Sequence, residues 1–150
     1  MSGFAGPYNI KMAFDGKNNA ITFGKCAGAA GTEISVRKGY YGDYEVIANT
    51  SGTSYQHKDL MKGSYYYYRF RSYKTAGKTK EYSSYRYMSL YTGVQQVEHL
   101  KVSSVQAASL KLSWDSVPWA DGYEIYYSNS YNGYYEKLAD VTKRTTKNCY

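Results

Sequence analysis

The sequence predicts an all-β chain built as two antiparallel sandwich units in tandem, the second of them incomplete. Three observations carry that expectation. Apolar and polar residues alternate with a period of two over short runs. Turn-forming residues separate those runs. The chain also repeats itself at a shift of 91 residues. Such alternation marks half-buried antiparallel strands. Short strands between regularly placed turns build sandwiches or barrels.

The strands can be read one by one. "SLKLSW" puts Leu110, Leu112 and Trp114 on one face, with Lys111 and Ser113 on the other. "YEIYY" groups Tyr123, Ile125 and Tyr127. "YYRFRSY" separates Tyr66, Tyr68, Phe70 and Ser72 from Tyr67, Arg69, Arg71 and Tyr73. Between such runs lie "DGKNN" (15–19), "GKCAGAAG" (24–31), "YYGD" (40–43), "NTSG" (49–52), "KTAGKTK" (74–80), "ADG" (120–122) and "SYNG" (130–133). No helical pattern runs longer than about ten residues. Composition agrees, because 21 of the aromatic residues are Tyr. Tyr suits a pleated surface with one wet face, and helices favour it less.

The repeat appears when Phe23 is placed under Trp114. "ITF" (21–23) then lies under "LSW" (112–114), "TEISV" (32–36) under "YEIYY" (123–127), and "GDYEVIA" (42–48) under "GYYEKLA" (133–139). Glu33/Glu124, Ile34/Ile125, Gly42/Gly133, Tyr44/Tyr135, Glu45/Glu136 and Ala48/Ala139 fall in register without a gap. The expected units are residues 1–93 and 94–150. A tandem array follows from self-similarity at a fixed period.

Charge is divided unevenly between these units. Residues 1–93 hold 13 Lys/Arg against 6 Asp/Glu, a net of +7, whereas residues 94–150 hold six of each. Seven basic residues and one acid lie between Lys58 and Lys80. That stretch is either a solvated basic face or an attractor of polyanions.

On these residues a resemblance becomes specific. "LKLSWDSVPWADGYEIYYSNSYNGYYEKLADV" (110–141) resembles the first half of a fibronectin type III-like repeat of Gram-positive surface or secreted proteins. "DLMKGSYYYYRFRSY" (59–73) is similar to the stretch that leads into strand F of that family, and "EYSSYRYMSL" (81–90) resembles strand G. The first unit departs from the pattern: Phe23 stands for its Trp, Thr32 for a Tyr, and "AGAAG" for its W-A-D-G turn. The resemblance implies that Tyr66 is a corner tyrosine bonded to backbone, and that Tyr68, Phe70 and Ser72 point inward. It also implies that the second unit holds strands A (Val97–Ser103) to E only, which would leave Trp114, Tyr123 and Ile125 exposed and strand C with an open edge.

Signals of catalysis are weak. "AGKTK" (76–80) contains G-K-T, but Ser72 stands where a phosphate loop needs its first Gly. His57 and His99 fall in different units with no triad or metal spacing. Asp121 sits in a turn and Glu124 on a strand's wet face, so neither forms a paired-carboxylate acid. Cys26 and Cys149 make no C-x-x-C motif and read as isolated half-buried thiols. No catalytic residue, cofactor or metal is expected. No apolar run approaches the roughly 20 residues of a membrane span, and "MSGFAGPYNI" carries no signal peptide.

The outer row of residues 63–73 is the one candidate site: Tyr65, Tyr67, Arg69, Arg71 and Tyr73. One reading is cross-strand pairing on a wet sheet face, worth a few tenths to about 1 kcal/mol per pair. The other is a ligand platform, with rings stacking on sugars and arginines holding anions. The functional expectation is a non-catalytic spacer and interaction module of a larger extracellular or cell-surface bacterial protein. The alternative is a binding module for anionic or glycan polymers of cell wall or host, through the basic, Tyr-rich face of the first unit. Neighbouring domains of the same polypeptide are the expected partners, with self-association through the open edge of the second unit. Tyr and Arg interleave as in single-strand binders, but no recognised nucleic-acid motif accompanies them.

Overall fold

The computed structural model describes residues 4–142 and 145–149. Those residues form thirteen strands and no helix. They divide into two compact units, Met1–Gly93 and Val94–Tyr150.

In the first unit, strands β1 (Tyr8–Phe14), β2 (Asn19–Gly24) and β5 (Ser54–His57) form an antiparallel sheet in the order β1-β2-β5. A second antiparallel sheet runs β4 (Glu45–Thr50), β3 (Gly31–Lys38), β6 (Tyr65–Ala76) and β7 (Thr79–Tyr82), with β8 (Arg86–Tyr91) also paired to β6. The facing sides meet in one core. Ile21 and Phe23 come from the first sheet; Ile34, Val36, Tyr66, Tyr68 and Phe70 come from the second. Phe23 packs on Phe70 with ring centres 6.4 Å apart. The Tyr66 hydroxyl accepts the Met61 backbone N–H at 2.8 Å, pinning the chain where it turns into β6.

Strand β6 is the long central member. It pairs with β3 from Tyr66 to Tyr73, with β8 from Tyr65 to Phe70, and with β7 from Tyr73 to Ala76. The segment 81–90, expected as one strand, is therefore two. The break falls at Ser83, whose N–H donates to the Ser72 carbonyl and whose hydroxyl accepts the Ser72 N–H at 2.9 Å. The pairing register shifts by one residue across this break, from Tyr73 opposite Tyr82 to Phe70 opposite Arg86, so β7 and β8 follow the same edge of β6. The G-K-T of residues 77–79 lies at the β6–β7 hairpin, where Gly77 takes φ +65°. That conformation suits glycine at a tight turn.

The second unit repeats part of this plan. Strands β9 (Lys101–Gln106), β10 (Ser109–Ser113) and β13 (Thr146–Cys149) form a sheet in the order β13-β10-β9. Strands β11 (Tyr123–Tyr127) and β12 (Glu136–Val141) form a second. A shift of 91 carries β2, β3 and β4 onto β10, β11 and β12, and β5 onto β13 within a residue or two. Each pairing is conserved under that shift, and so is a bulge: Ile47 of β4 is the extra residue opposite Ile34 and Ser35, and Leu138 of β12 is the extra residue opposite Ile125 and Tyr126. Strand β9 begins later than the expected Val97–Ser103.

Trp114 is buried at 7% exposure, and Tyr123 and Ile125 are half-buried, so the expected exposure of these residues is corrected. The Trp114 backbone N–H donates to the Thr145 carbonyl, and the indole ring meets Tyr123 at 5.3 Å in an edge-on geometry. The Tyr123 hydroxyl in turn accepts the Val117 N–H at 2.8 Å. Beside this anchor an apolar cleft of about 840 Å³ remains, lined by Leu110, Leu112, Ile125, Tyr127 and Leu138 among others. Strand β3 has β4 and β6 as neighbours; among the described residues β11 has β12 alone.

Hydrogen exchange should separate the two central strands. Amides of β6, bonded on both edges, are expected to exchange far more slowly than the β11 amides that face away from β12. Equal protection in a monomer would show that β11 is covered.

Candidate functional site

The outward side chains of β6 are Tyr65, Tyr67, Arg69, Arg71 and Tyr73, as strand parity requires. All five lie on the face of the sheet opposite the core. The ladder sets Arg71 across from Glu33, Arg69 from Ser35, and Tyr67 from Arg37 on β3. It also sets Tyr65 across from Tyr91 on β8 and Tyr73 from Tyr82 on β7.

These residues assemble into one stack. The Arg37 guanidinium lies over Tyr67 at 5.0 Å and over Tyr44 at 4.9 Å. Arg69 lies over the same Tyr44 ring at 4.1 Å and over Tyr85 at 4.3 Å. Arg71 lies over Tyr85 at 4.7 Å and Tyr82 at 3.6 Å. Tyr65 continues the row, stacked on Tyr91 at 4.5 Å and on Tyr67 at 6.5 Å. At the other end Tyr73 meets Tyr82 at 6.5 Å and carries the Lys80 ammonium at 4.4 Å. The Tyr73 ring also lies against Gly31, its ladder partner, where a side chain would collide with it.

Under this cover, six consecutive residues, Gly31–Val36, are buried although β3 has an outer face. Glu33 is among them at 6% exposure, and its Oε1 accepts the Arg71 Nε–H at 2.8 Å. Arg71 is thus the one arginine of the stack with a carboxylate. Neither Arg37 nor Arg69 has an acidic group within ion-pair distance among the described residues, and the buried Nε of each lacks an acceptor.

Sequence parity identified the β6 members of this face. It missed Arg37, Tyr44, Tyr82 and Tyr85. Arg37 was legible in principle, since "TEISVRK" alternates. Tyr44 and Tyr85 lie in connections without periodicity, and only the fold brings them to the stack.

On the core side, His57 Nδ1 and the Tyr68 hydroxyl share a hydrogen bond of 2.8 Å. Burial pushes the Tyr68 hydroxyl up to about 12 and holds the His57 imidazole below its ordinary value. A bare Nδ1 that accepts the phenol proton fits both directions. In the second unit His99 is exposed and sits 2.6 Å from Asp115, whose hydrogen bond raises its pKa. Cys26 and Cys149 are free and half-buried. Among the described residues no group of three His, Cys, Asp or Glu is placed to hold a metal, and no helix is long and apolar enough to cross a membrane.

No protein-family model matches the chain. No curated protein matches it either. Solved structures do. A two-domain fibronectin type III segment of chicken tenascin aligns over 96% of this chain and 82% of its own, at 15% identity and a TM-score of 0.51. The first three fibronectin type III domains of chicken CNTN1 align over 95% of this chain and 55% of their own, at 13% identity and a TM-score of 0.44. The tenascin alignment and the sheet pairing together define the fold: all-β, antiparallel, with a tandem fibronectin type III-like plan.

Two measurements check this geometry. Arg69→Ala removes a guanidinium held between two rings and should lower the stability of the first unit by about 1–2 kcal/mol in urea unfolding. An unchanged midpoint would mean the stack holds nothing together. For His57, folding favours the neutral form, so its contribution is whole above the ordinary value of about 6.5 and is lost as pH falls through the lowered one. The first unit should therefore melt at a lower temperature at pH ~5 than at pH ~7, and His57→Gln should flatten that slope. His99 acts with the opposite sign, its contribution being lost as pH rises, and weakly because it is exposed.

Proposed function

We propose that the chain is a non-catalytic spacer and interaction module of a larger extracellular or cell-surface protein, of the kind found in Gram-positive bacteria. The observation that carries this reading is the recurrence of one strand plan at a 91-residue shift. Tandem reuse of a small sandwich sets distance and presents surfaces, and it assigns the chemistry to other parts of the polypeptide. The fibronectin type III tandem of tenascin supports the plan at the level of fold. Neighbouring domains of the same polypeptide are then the first partners.

A second reading is favoured by the first unit's outer face. Its two arginines without carboxylates, among rings, support a binding role for anionic or glycan polymers. The edge of β11 that no described strand covers, beside an apolar cleft, supports self-association by strand pairing.

Deleting residues 1–150 from the native polypeptide tests the module reading. Turnover by neighbouring domains on small soluble substrates should be unchanged, while retention on cell walls falls. Loss of that turnover would overturn a non-catalytic role.

A further inference from the structure

We infer that Arg37 and Arg69 form a two-cation site for sulfate or phosphate esters carried on a glycan. The inference rests on the polymer-binding reading and deepens it to a ligand class and a pair of residues, one of which, Arg37, sequence parity did not single out.

The argument starts from what each arginine lacks. A guanidinium carries five N–H donors in a plane and no acceptor. In this stack the rings of Tyr67, Tyr44 and Tyr85 cover the flat faces of Arg37 and Arg69. What stays available is the edge, where the donors point. Arg71 has its edge engaged by Glu33 at 2.8 Å. Arg37 and Arg69 have no such partner among the described residues, and their Nε atoms are shut away from solvent without an acceptor. Both are half-buried, so their charge is screened less than that of a surface lysine. An oxyanion at the terminal nitrogens would give each guanidinium the charged partner that no described carboxylate supplies, through charge-assisted bonds.

The two cations share the Tyr44 ring, so they are held as a pair by the packing itself. Such pre-organisation lowers the entropic cost of binding. A carboxylate of the chain would be drawn to this pair first, and among the described residues none is within ion-pair distance. Two fixed cations match a ligand that bears repeated negative groups better than a lone ion.

The surroundings select a sugar scaffold over a bare polyanion. Tyr40 lies beside Arg37 at 5.7 Å and is 66% exposed. Tyr65 and Tyr91, 54% and 38% exposed, extend the row past Tyr67. Exposed ring faces next to cations offer flat apolar platforms for the C–H faces of pyranose rings, while the cations take the esters. A chain of phosphates alone has nothing to lay on those rings.

The test uses the whole chain and four polymers of matched length: dextran, dextran sulfate, dextran phosphate and linear polyphosphate. Calorimetric titration at low salt should show that one or both dextran esters bind, and that dextran and polyphosphate bind at least about tenfold more weakly. Arg37→Lys and Arg69→Lys keep the charge but lose the planar fork, and each should weaken ester binding about tenfold. Lys78→Gln, at the β6–β7 hairpin, should change it little.

Arginine side-chain NMR on the unaltered protein covers the case in which a Lys variant disturbs the stack. Inorganic sulfate should shift the Nε–H signals of Arg37 and Arg69 and leave that of Arg71 in place. If the dextran esters bind but the two Lys variants bind equally well, or Arg71 shifts with the others, the two-arginine site is wrong while the basic-face reading survives. Polyphosphate binding as tightly as the esters would remove the sugar from the assignment. No binding by any of the four polymers at low salt would end both readings.

Discussion

The first unit depends on a strand that is bonded along both edges. β6 meets β3 on one side and β8 and β7 on the other, so it cannot shift without breaking two ladders at once. That double registration fixes which side chains face the core and which face out. A slip by one residue would exchange Tyr68 and Phe70 for Tyr67 and Arg69 on the inner face. The core needs the first pair, fully buried at 0% exposure, and the outer stack needs the second. Each face thus holds the other in place. The hydroxyl of Tyr66 on Met61 and the Ser72–Ser83 bonds then secure the two ends of the same strand.

The outer face shows how a surface with many cations can be stable. Like charges in adjacent rungs repel, yet Arg37, Arg69 and Arg71 lie along one row. Interleaved tyrosine rings separate them and present π faces to each guanidinium. Arginine suits this arrangement where lysine does not, because its planar, weakly hydrated head stacks. The long side chains also shield β3, and this is why Glu33 and Ser35 are buried on what a simple sandwich would leave wet. Glu33 is tolerated there because Arg71 neutralises it within hydrogen-bond distance.

Much of this was legible in the sequence, and what was not has physical causes. Period-two alternation located β6, β10 and β11, because one buried face forces it. The repeat of 91 aligned β2 to β4 with β10 to β12, since core positions keep their spacing even where identities are few. The division of residues 81–90 escaped, because it depends on Ser83 finding Ser72, a contact between positions that carry no periodic signal. For Trp114, parity set the ring on the inner face beside Leu110 and Leu112, and only the count of strands argued for its exposure. Counting missing strands predicts exposure, but the ring of Tyr123 packs edge-on against the indole, and the Trp114 backbone is tied to the Thr145 carbonyl. Of the stack, the half on regular strands could be read from parity, and the half on connections could not.

The bulge that both units share has a consequence for how such beads diverge. It lies opposite Ser35 and Tyr126, which hold equivalent posts one residue past Ile34 and Ile125. Ser35 is small and lies flat beneath the row, in register with Arg69. Tyr126 is large, stands 47% exposed, and donates its hydroxyl to Glu124 at 3.0 Å. The backbone irregularity is retained while the side chain opposite it changes from a floor tile to an upright post. A row of guanidiniums laid over the second unit in the same manner would run into that post. One inherited frame therefore carries two surfaces that cannot be interchanged, and a string of such units can differ from bead to bead in what it displays without altering how it folds.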